Sequence, residues 1–223
     1  MATSAWEADR LTEYFEQHGT PGEIAPGEYL PAQPGEPVAC SIASGWILRQ
    51  RKLAGTCVGA VGLYVPGDIF GLDCVVEPAM DDPMLALTKV RYCSIPCTEL
   101  YDAMQQDEAL AFAVMRRLVA DADWLREGLV ATGQLPALQR LIVFVDQTRR
   151  RMIANGSLDA AARVMPLPLT QDQIGSTLGI SSVHANRTIG QVRDAGIVEL
   201  RGRMARFADL ERFETEADRI LSR

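Results

Sequence analysis

The sequence has few of the residues on which enzymes most often depend. Its only histidines are His18 and His184, and we find no His pair, no phosphate-binding loop and no Ser/His/Asp set. General acid–base catalysis most often uses histidine, supported by clustered polar groups in a pocket. We therefore expect no enzyme activity, no catalytic residue and no cofactor.

Cysteine is also scarce, and its spacing is not that of a metal site. The five cysteines are Cys40, Cys57, Cys74, Cys93 and Cys97. Their odd number argues against a disulfide framework. No C-x2-C pair occurs, and the C-x3-C spacing of Cys93 and Cys97 falls where we predict a strand ending at Ile95-Pro96. We interpret these residues as small buried hydrophobes and predict no bound metal. A redox or metal site built from cysteine is the alternative.

Long apolar runs are absent as well. No run approaches the roughly 18 apolar residues that a membrane-spanning helix needs, so no membrane span is predicted. Residues 1–17 are acidic and amphipathic, which is not the pattern of a signal peptide. Hydrophobic residues make up 48% of the chain and charged residues 23%, values typical of a soluble globular protein. We expect a cytoplasmic location.

Positive charge is scarce overall but unevenly distributed. The net charge is −7, yet residues 1–134 contain 9 basic and 19 acidic residues, whereas residues 135–223 contain 13 basic and 10 acidic ones. Binding to phosphates needs a basic surface, which only the second part offers. The acidic first part is expected to repel DNA and to keep the duplex on one side of the protein.

Residues 170–194 predict two short helices around a tight turn. Thr170 and Gln173 have the T-x-x-Q form of a capping box, which favours a helix beginning at Gln171. Ile174 and Leu178 mark its buried face. Gly179 suits the left-handed conformation that ends a helix, and Ser181 is a typical N-cap for the next one.

The second of these helices carries the polar groups that read DNA bases. Its inward positions are Ala185, Ile189 and Val192. The outward positions, which we predict to read bases, are Ser182, Val183, Asn186 and Arg187. Arginine matches guanine, asparagine matches adenine, and an apolar group meets the thymine methyl in the major groove. The alternative is a surface helix that merely carries these residues.

A basic hairpin is predicted to follow. Strands at Val198–Leu200 and Met204–Phe207 enclose an Arg-Gly-Arg tip, and the glycine stands where a hairpin turn needs one. Helix, turn, helix and hairpin together indicate a winged helix. The predicted phosphate contacts are Thr170, Ser181, His184, Arg201, Arg203 and Arg206. For His184, packing in the protein is an equal alternative.

These motifs resemble a known family. The stretch LPLTQDQIGSTLGISSVHANRTIGQVRDAGIVELRGR resembles the DNA-binding domain of the Crp/Fnr superfamily of bacterial transcription regulators. Residues 23–98 contain short strand-like runs broken by Gly and Pro, which indicates an antiparallel roll. Within them, SGWIL and VPGDIFGL resemble the superfamily's cyclic-nucleotide-binding-like β-roll. The resemblance implies a homodimer that binds palindromic double-stranded DNA, with RNA polymerase as a further candidate partner.

The expected fold class is α+β, in four parts. These are an N-terminal helix (1–22), an antiparallel β-roll or jelly roll (23–106, ending in a turn at Glu99–Gln105), a long central dimerisation helix (107–132) and a winged helix-turn-helix (135–223). We expect Thr132–Pro136 to break the chain between helices and Ala160–Pro168 to be a loop. Arg149–Arg151 are expected at a solvated helix end or near DNA phosphates.

The central helix has a heptad pattern that predicts a dimer seam. The predicted seam consists of Ala111, Met115, Leu118, Ala122, Leu125 and Leu129, with Phe112 and Val119 beside it and available to pack on the β-roll. A core helix of a single subunit is the alternative. Two-fold dimers are how helix-turn-helix proteins gain specificity, which favours the seam.

The sequence departs from the family at the cyclic-nucleotide site. Leu72 stands where nucleotide-binding members have a glutamate, and residues 77–84 contain three carboxylates and no cation where the phosphate-binding arginine is expected. Carboxylates there oppose an anion. Lys89 and Arg91 follow on a strand, and we interpret them as solvated. We therefore predict that cyclic AMP is not the effector, which stays unknown. A cysteine-based sensor and a protein-interaction module are the alternative functions.

Overall fold

A computed structural model describes residues 6–31, 36–52, 58–76 and 82–221, and at residues 6–9, 52 and 58 it describes the backbone alone. Contacts divide the chain into two compact units. The first comprises Met1–Arg49 and Leu63–Asp123, and the second comprises Gln50–Gly62 and Trp124–Arg223. Within the described ranges, no helix is both long and apolar enough to cross a membrane.

The N-terminal part of the chain is a helix followed by short strands. The helix is α1 (Trp6–His18), and the strands are β1 (Thr20–Ile24), β2 (Val38–Ser44), β3 (Ile47–Lys52), β4 (Val58–Tyr64), β5 (Ile69–Phe70), β6 (Met84–Ala86) and β7 (Val90–Pro96). A short 3-10 helix, Leu72–Val75, follows β5. The strands form one sheet of order β1-β7-β2-β5 and another of order β4-β3-β6. The pairs β1–β7, β2–β7, β2–β5 and β3–β6 are antiparallel, as the sequence predicted.

The core of the first unit joins the N-terminal helix to the strands. Leu11 and Phe15 of α1 are buried with Ile95 of β7 in one cluster, and Leu72 belongs to the same cluster. Leu11 and Phe15 therefore mark the inward face of α1, whereas the side chain of Trp6 lies outside the described residues.

Two helices follow the sheets. The turn expected at Glu99–Gln105 was wrong, because α2 (Cys97–Gln106) occupies that segment. The long helix α3 (Glu108–Gln134) corresponds to the central helix predicted at 107–132. It begins one residue later and ends two residues later than predicted. Thr132 and Gly133 therefore lie in its last turn and do not break it. Asp107 begins α3, since its Oδ1 accepts hydrogen bonds of 3.0 Å from the backbone N–H groups of Ala109 and Leu110.

The Pro-Gly-Asp motif forms a turn that is tied to α3. Gly67 has φ of 86°, which glycine adopts at little cost. Asp68 is fully buried and accepts a hydrogen bond of 2.8 Å from Val65 N–H. Arg117 of α3 donates to the same carboxylate at 2.7 Å. The motif thus stabilises the start of the central helix in the first unit.

The second unit is a helical domain with a small sheet. Its helices are α4 (Ala137–Ala154), α5 (Gln171–Leu178), α6 (Ser182–Asp194) and α7 (Leu210–Leu221). Strands β8 (Val164–Pro166), β9 (Glu199–Arg201) and β10 (Met204–Arg206) form a sheet of order β8-β10-β9. The loop expected at Ala160–Pro168 was therefore wrong at β8, which is too short to show an alternating pattern.

Candidate nucleic-acid interface

The first helix of the predicted pair begins at the capping box. Thr170 Oγ1 accepts a hydrogen bond of 3.2 Å from Gln173 N–H, and Gln173 Oε1 accepts one of 2.8 Å from Thr170 N–H. Both bonds of the predicted box are present, so α5 starts at Gln171. The helix ends at Gly179, whose φ of 67° is left-handed, as predicted.

A second glycine allows the two helices to approach each other. A Cβ built on Gly175 would lie 2.9 Å from the carbonyl oxygen of Ile180 and 3.3 Å from the carbonyl carbon of Ser181. Only a residue without a side chain fits this position without moving the backbone of the turn. This role was not predicted, because nothing in the sequence distinguishes Gly175 from an ordinary helix position.

Helix α6 presents the predicted reading residues to solvent. Ser181 caps it, its Oγ accepting a hydrogen bond of 3.3 Å from His184 N–H. Ala185, Thr188 and Val192 are fully buried. The exposed residues of its first turns are Ser182, Val183, His184, Asn186 and Arg187. The packing alternative for His184 was therefore wrong.

One contact joins the first helix to the reading face. Gln171 Nε2 lies 3.5 Å from Asn186 Oδ1, and both residues are exposed. A hydrogen bond of this length is weak. It leaves the side-chain amide of Asn186 available to a new partner and places Gln171 beside it.

The hairpin forms with a two-residue turn. Arg201 pairs with Met204, and Gly202 and Arg203 between them both have φ of 62°. Two successive positive φ values are those of a type I′ turn, which matches the twist of a hairpin. Arg203 is the single non-glycine residue with positive φ in the described part of the chain. Its backbone oxygen accepts a hydrogen bond of 2.9 Å from Leu167 N–H next to β8.

Four exposed arginines of this domain make neither a side-chain hydrogen bond nor an ion pair within the described residues. They are Arg187 of α6 and Arg201, Arg203 and Arg206 of the hairpin. By contrast, Arg193 pairs with Asp194 at 2.8 Å and Arg219 pairs with Glu216 at 2.6 Å. The unpaired cations are therefore those that the sequence assigned to DNA.

Arg149–Arg151 were expected at a solvated helix end or near phosphates, but only Arg150 is exposed and all three have partners within the protein. Arg149 is buried and donates to Glu214 at 2.7 Å. Arg150 pairs with Asp146 and with Asp218. The guanidinium of Arg151 lies 5.6 Å from the ring centroid of Trp124. These arginines hold α3, α4 and α7 of the second unit together.

The central helix exposes an apolar stripe that is rotated from the predicted seam. Met115, Leu125 and Leu129 of the seam are exposed, but Leu118 packs against the core of the first unit. Ala111 and Ala122 are partly buried. Phe112 and Val119 were expected on the β-roll, which was wrong, because 49% and 59% of their surfaces are exposed.

At the expected cyclic-nucleotide site, the residue that stands in place of the glutamate is apolar. Leu72 is buried in the core. Lys89 pairs with Glu23 at 2.8 Å and Arg91 donates to Ser44 at 3.0 Å, and both cations lie at the surface. Residues 77–81, on which the argument about missing cations partly depends, lie outside the described residues, whereas Asp82 pairs with Arg49 at 2.8 Å.

The cysteines differ from the prediction in one respect. Cys74 and Cys97, both buried, form a disulfide between the 3-10 helix and α2, with Cα atoms 6.1 Å apart. Cys40 and Cys93 are free thiols, and Cys57 lies outside the described residues. Among the residues with described positions, no group of three His, Cys, Asp or Glu side chains could hold a metal ion.

Comparison with known proteins agrees with this geometry. Residues 138–216 match the model of the Crp-like helix-turn-helix domain family. No curated protein matches the sequence. FixK2 from Bradyrhizobium japonicum is a solved structure with a TM-score of 0.76 and 19% identity, over 88% of this chain and 96% of that one.

Two further solved structures have the same fold. The c-di-GMP responsive global regulator CLP of Xanthomonas campestris has a TM-score of 0.67 and 13% identity, over 89% of this chain and 98% of that one. TTHB099, a transcriptional regulator of the CRP family from Thermus thermophilus, has a TM-score of 0.66 and 16% identity, over 88% of this chain and 96% of that one. The chain thus contains a Crp-like helix-turn-helix domain and has the fold of the Crp/Fnr family of transcription regulators.

Proposed function

We propose that this protein is a sequence-specific transcription regulator of the Crp/Fnr type, which binds palindromic DNA as a homodimer with α6 in the major groove. The observation that carries the proposal is the exposed start of α6, where Asn186 and Arg187 have no strong partner in the described chain. A polar helix face with an unpaired guanidinium is what reading of guanine requires.

The residues divide between reading and positioning. Arg187 is assigned to guanine O6 and N7, Asn186 to adenine, and Val183, which is 71% exposed, to a thymine methyl. The backbone N–H groups at the starts of α5 and α6 favour phosphate oxygens, and the hydroxyls of Thr170 and Ser181 remain able to donate there. Arg201, Arg203 and Arg206 of the hairpin contact phosphates and set the register.

The dimer is assigned to the apolar stripe of α3. Exposed apolar residues on one long helix favour pairing with a second copy. A two-fold dimer places two α6 helices in successive major grooves about 34–36 Å apart, so the target is a palindrome. Cyclic AMP is not assigned as effector, since Leu72 supplies no polar group for a nucleotide.

Selection of bound fragments from random DNA tests this function. We expect enrichment of a two-fold symmetric motif whose half-sites are about 10 base pairs apart. Recovery of DNA without any enriched motif would contradict sequence-specific binding. Failure to recover DNA at all would favour the protein-interaction module.

A cysteine-based sensor is the second candidate, and the Cys74–Cys97 disulfide favours it. Cys40 is a poor candidate for the reactive thiol, because burial, and then the neighbouring Cys93, raise its pKa to about 12. Thiol titration under denaturing conditions should yield two additional thiols after reduction. If reduction leaves DNA affinity unchanged, the disulfide is structural and this candidate fails.

A further inference from the structure

A cavity of about 310 Å³ lies within the second unit, away from the reading face of α6. Its walls come from β4, from α3 between Trp124 and Thr132, and from α4 and α5. Its apolar lining includes Trp124, Val143, Phe144 and Leu178, together with Leu125 and Leu129, which also belong to the stripe of α3 assigned to the dimer. Small-molecule sites have this character and start at about this size, roughly 300 Å³.

Among the described residues that line the cavity, Arg140 is the single cation and none is acidic. Arg140 Nε donates to the carbonyl oxygen of Leu135 at 2.7 Å, and its Nη1 donates to that of Leu178 at 3.1 Å. No carboxylate pairs with Arg140 anywhere in the described chain. A guanidinium that pairs with backbone oxygens and with no described carboxylate favours a carboxylate ligand, which it binds through paired hydrogen bonds.

The lining also contains a buried donor without an acceptor. Trp124 Nε1 is inaccessible to solvent and makes no hydrogen bond within the described residues. Buried N–H groups normally have a partner, and one without is destabilising. Gln147, another lining residue, is already committed, because its Nε2 donates to Glu127 Oε2 at 2.8 Å. Because Trp124 Nε1 has no surface accessible to solvent, it offers no hydrogen bond to an occupant of the cavity, and the indole contributes only apolar surface to the lining.

The cavity is connected to the helix-turn-helix. Thr177 and Leu178 belong to α5, and a Cβ built on Gly179 would lie 3.3 Å from the Thr132 methyl carbon. At the β4 wall, Ala60 N–H donates to Ser176 Oγ of α5 at 2.9 Å. An occupant therefore contacts the helix that positions α6. An occupant that binds one placement of α5 more tightly than another increases the population of that placement.

We propose that this cavity binds a small monocarboxylic acid with an apolar aromatic or aliphatic body, and that this acid is the effector. Its carboxylate contacts Arg140, and its body packs against Trp124 and Phe144. The effector role rests on the proposed DNA-binding function, whereas the binding of the acid does not.

Calorimetry on the full-length protein tests the site, with phenylacetate and octanoate as probes and phenylacetamide and octanamide as uncharged controls. We expect at least one acid to bind at least tenfold more tightly than its amide. Arg140→Gln should remove that difference. Val143→Phe, which adds volume at a lining residue that is buried, should abolish binding.

The comparison of acid with amide uses the unaltered protein, so it remains decisive even if a variant folds poorly. Equal binding of acid and amide overturns the proposed site. The absence of binding by either acid overturns it as well, and this absence is also the result expected if another copy of the chain fills the cavity. A gel shift on selected DNA with and without bound acid tests the effector role. At least a fivefold change in affinity is expected, and no change overturns that role. If fragment selection finds no motif while the acid still binds, the proposed DNA function fails and the site stands.

Discussion

At the scale of single residues, the turn of the β9–β10 hairpin shows a conflict between backbone conformation and charge. Arg203 adopts φ of 62°, a left-handed value that disfavours any residue with a Cβ by about 1–2 kcal/mol. Glycine or asparagine is typical of this position in a type I′ turn. An exposed, unpaired arginine there is explained if its charge serves DNA binding.

Replacing Arg203 with glycine should separate these two effects. We predict that Arg203→Gly raises the free energy of unfolding by about 1 kcal/mol, because the strained conformation becomes favourable. DNA affinity should fall alike on all sequences, with the salt dependence of binding reduced by about one phosphate contact.

Arg203→Ala is the matched control, since it loses the same charge without gaining conformational freedom. Chemical denaturation and DNA titrations at several salt concentrations measure both quantities. An unchanged salt dependence in both variants would show that Arg203 does not contact phosphate.

Local chemistry made several residues predictable from sequence. Thr170, Ser181 and Gly179 stand at helix ends, where the identity of one residue and its near neighbours decides the hydrogen bonding. The disulfide of Cys74 with Cys97 was not predictable, because only the fold brings together two residues separated by 23 positions. The bond from Ala60 to Ser176 spans 116 positions and gave no signal at all.

At the scale of elements, the two glycines of the helix pair differ in what surrounds them. A Cβ at Gly175 would be 2.9 Å from a backbone oxygen, whereas a Cβ at Gly190 of α6 would meet nothing within 4 Å. Gly175 therefore determines how closely α5 approaches the turn, and Gly190 has no such role.

Gly175→Ala should consequently destabilise the protein, and Gly190→Ala should not. We expect a loss of about 1–3 kcal/mol for Gly175→Ala, as for overpacked sites. Gly190→Ala should gain up to about 1 kcal/mol from helix propensity. Chemical denaturation measures both values. Equal effects of the two substitutions would mean that the close approach at Gly175 is not a constraint.

The elements that were not predictable from sequence are short or depend on partners. The three residues of β8 form a strand only because β10 lies beside them, with Met165 opposite Ala205. The segment of α2 has just two buried residues, Cys97 and Leu100, so its apolar face was too weak to indicate a helix. The face of α3 was misassigned at Leu118, because a heptad pattern does not say which apolar residues face the protein's own core.

At the scale of the whole molecule, the apolar stripe of α3 predicts a dimer. Val119 is 59% exposed and has no role in the core of the first unit. Val119→Glu should therefore convert the dimer to a monomer, because two carboxylates would meet at the two-fold axis. The free energy of unfolding of the isolated chain should change by less than about 0.5 kcal/mol, as for surface substitutions.

Tyr101→Glu is the control, since Tyr101 of α2 is similarly exposed at 48% but does not lie on α3. Analytical ultracentrifugation of the two variants and the unaltered protein measures the association. A dimer that persists in Val119→Glu would exclude this stripe as the interface.

The distribution of charge along the chain could be predicted from sequence, but which arginines pair within the protein could not. The excess of basic residues after position 134 indicated a phosphate-binding part. Only the fold distinguishes arginines that pair internally, such as Arg149 with Glu214, from those that remain unpaired, such as Arg187. Ion pairs between distant segments cannot be counted before the helices are placed.

The most direct test of base reading compares Arg187 with a second arginine of the same helix. Arg193 is exposed but pairs with Asp194, so Arg193→Ala removes a charge from α6 without removing the proposed reading group. The measurement is the ratio of dissociation constants on the selected site and on random duplex for each protein. Arg187→Ala should weaken binding to the selected site by about 1–3 kcal/mol and lower this ratio, while Arg193→Ala leaves it unchanged. If Arg187→Ala weakens binding to both duplexes equally, α6 does not read the bases through Arg187.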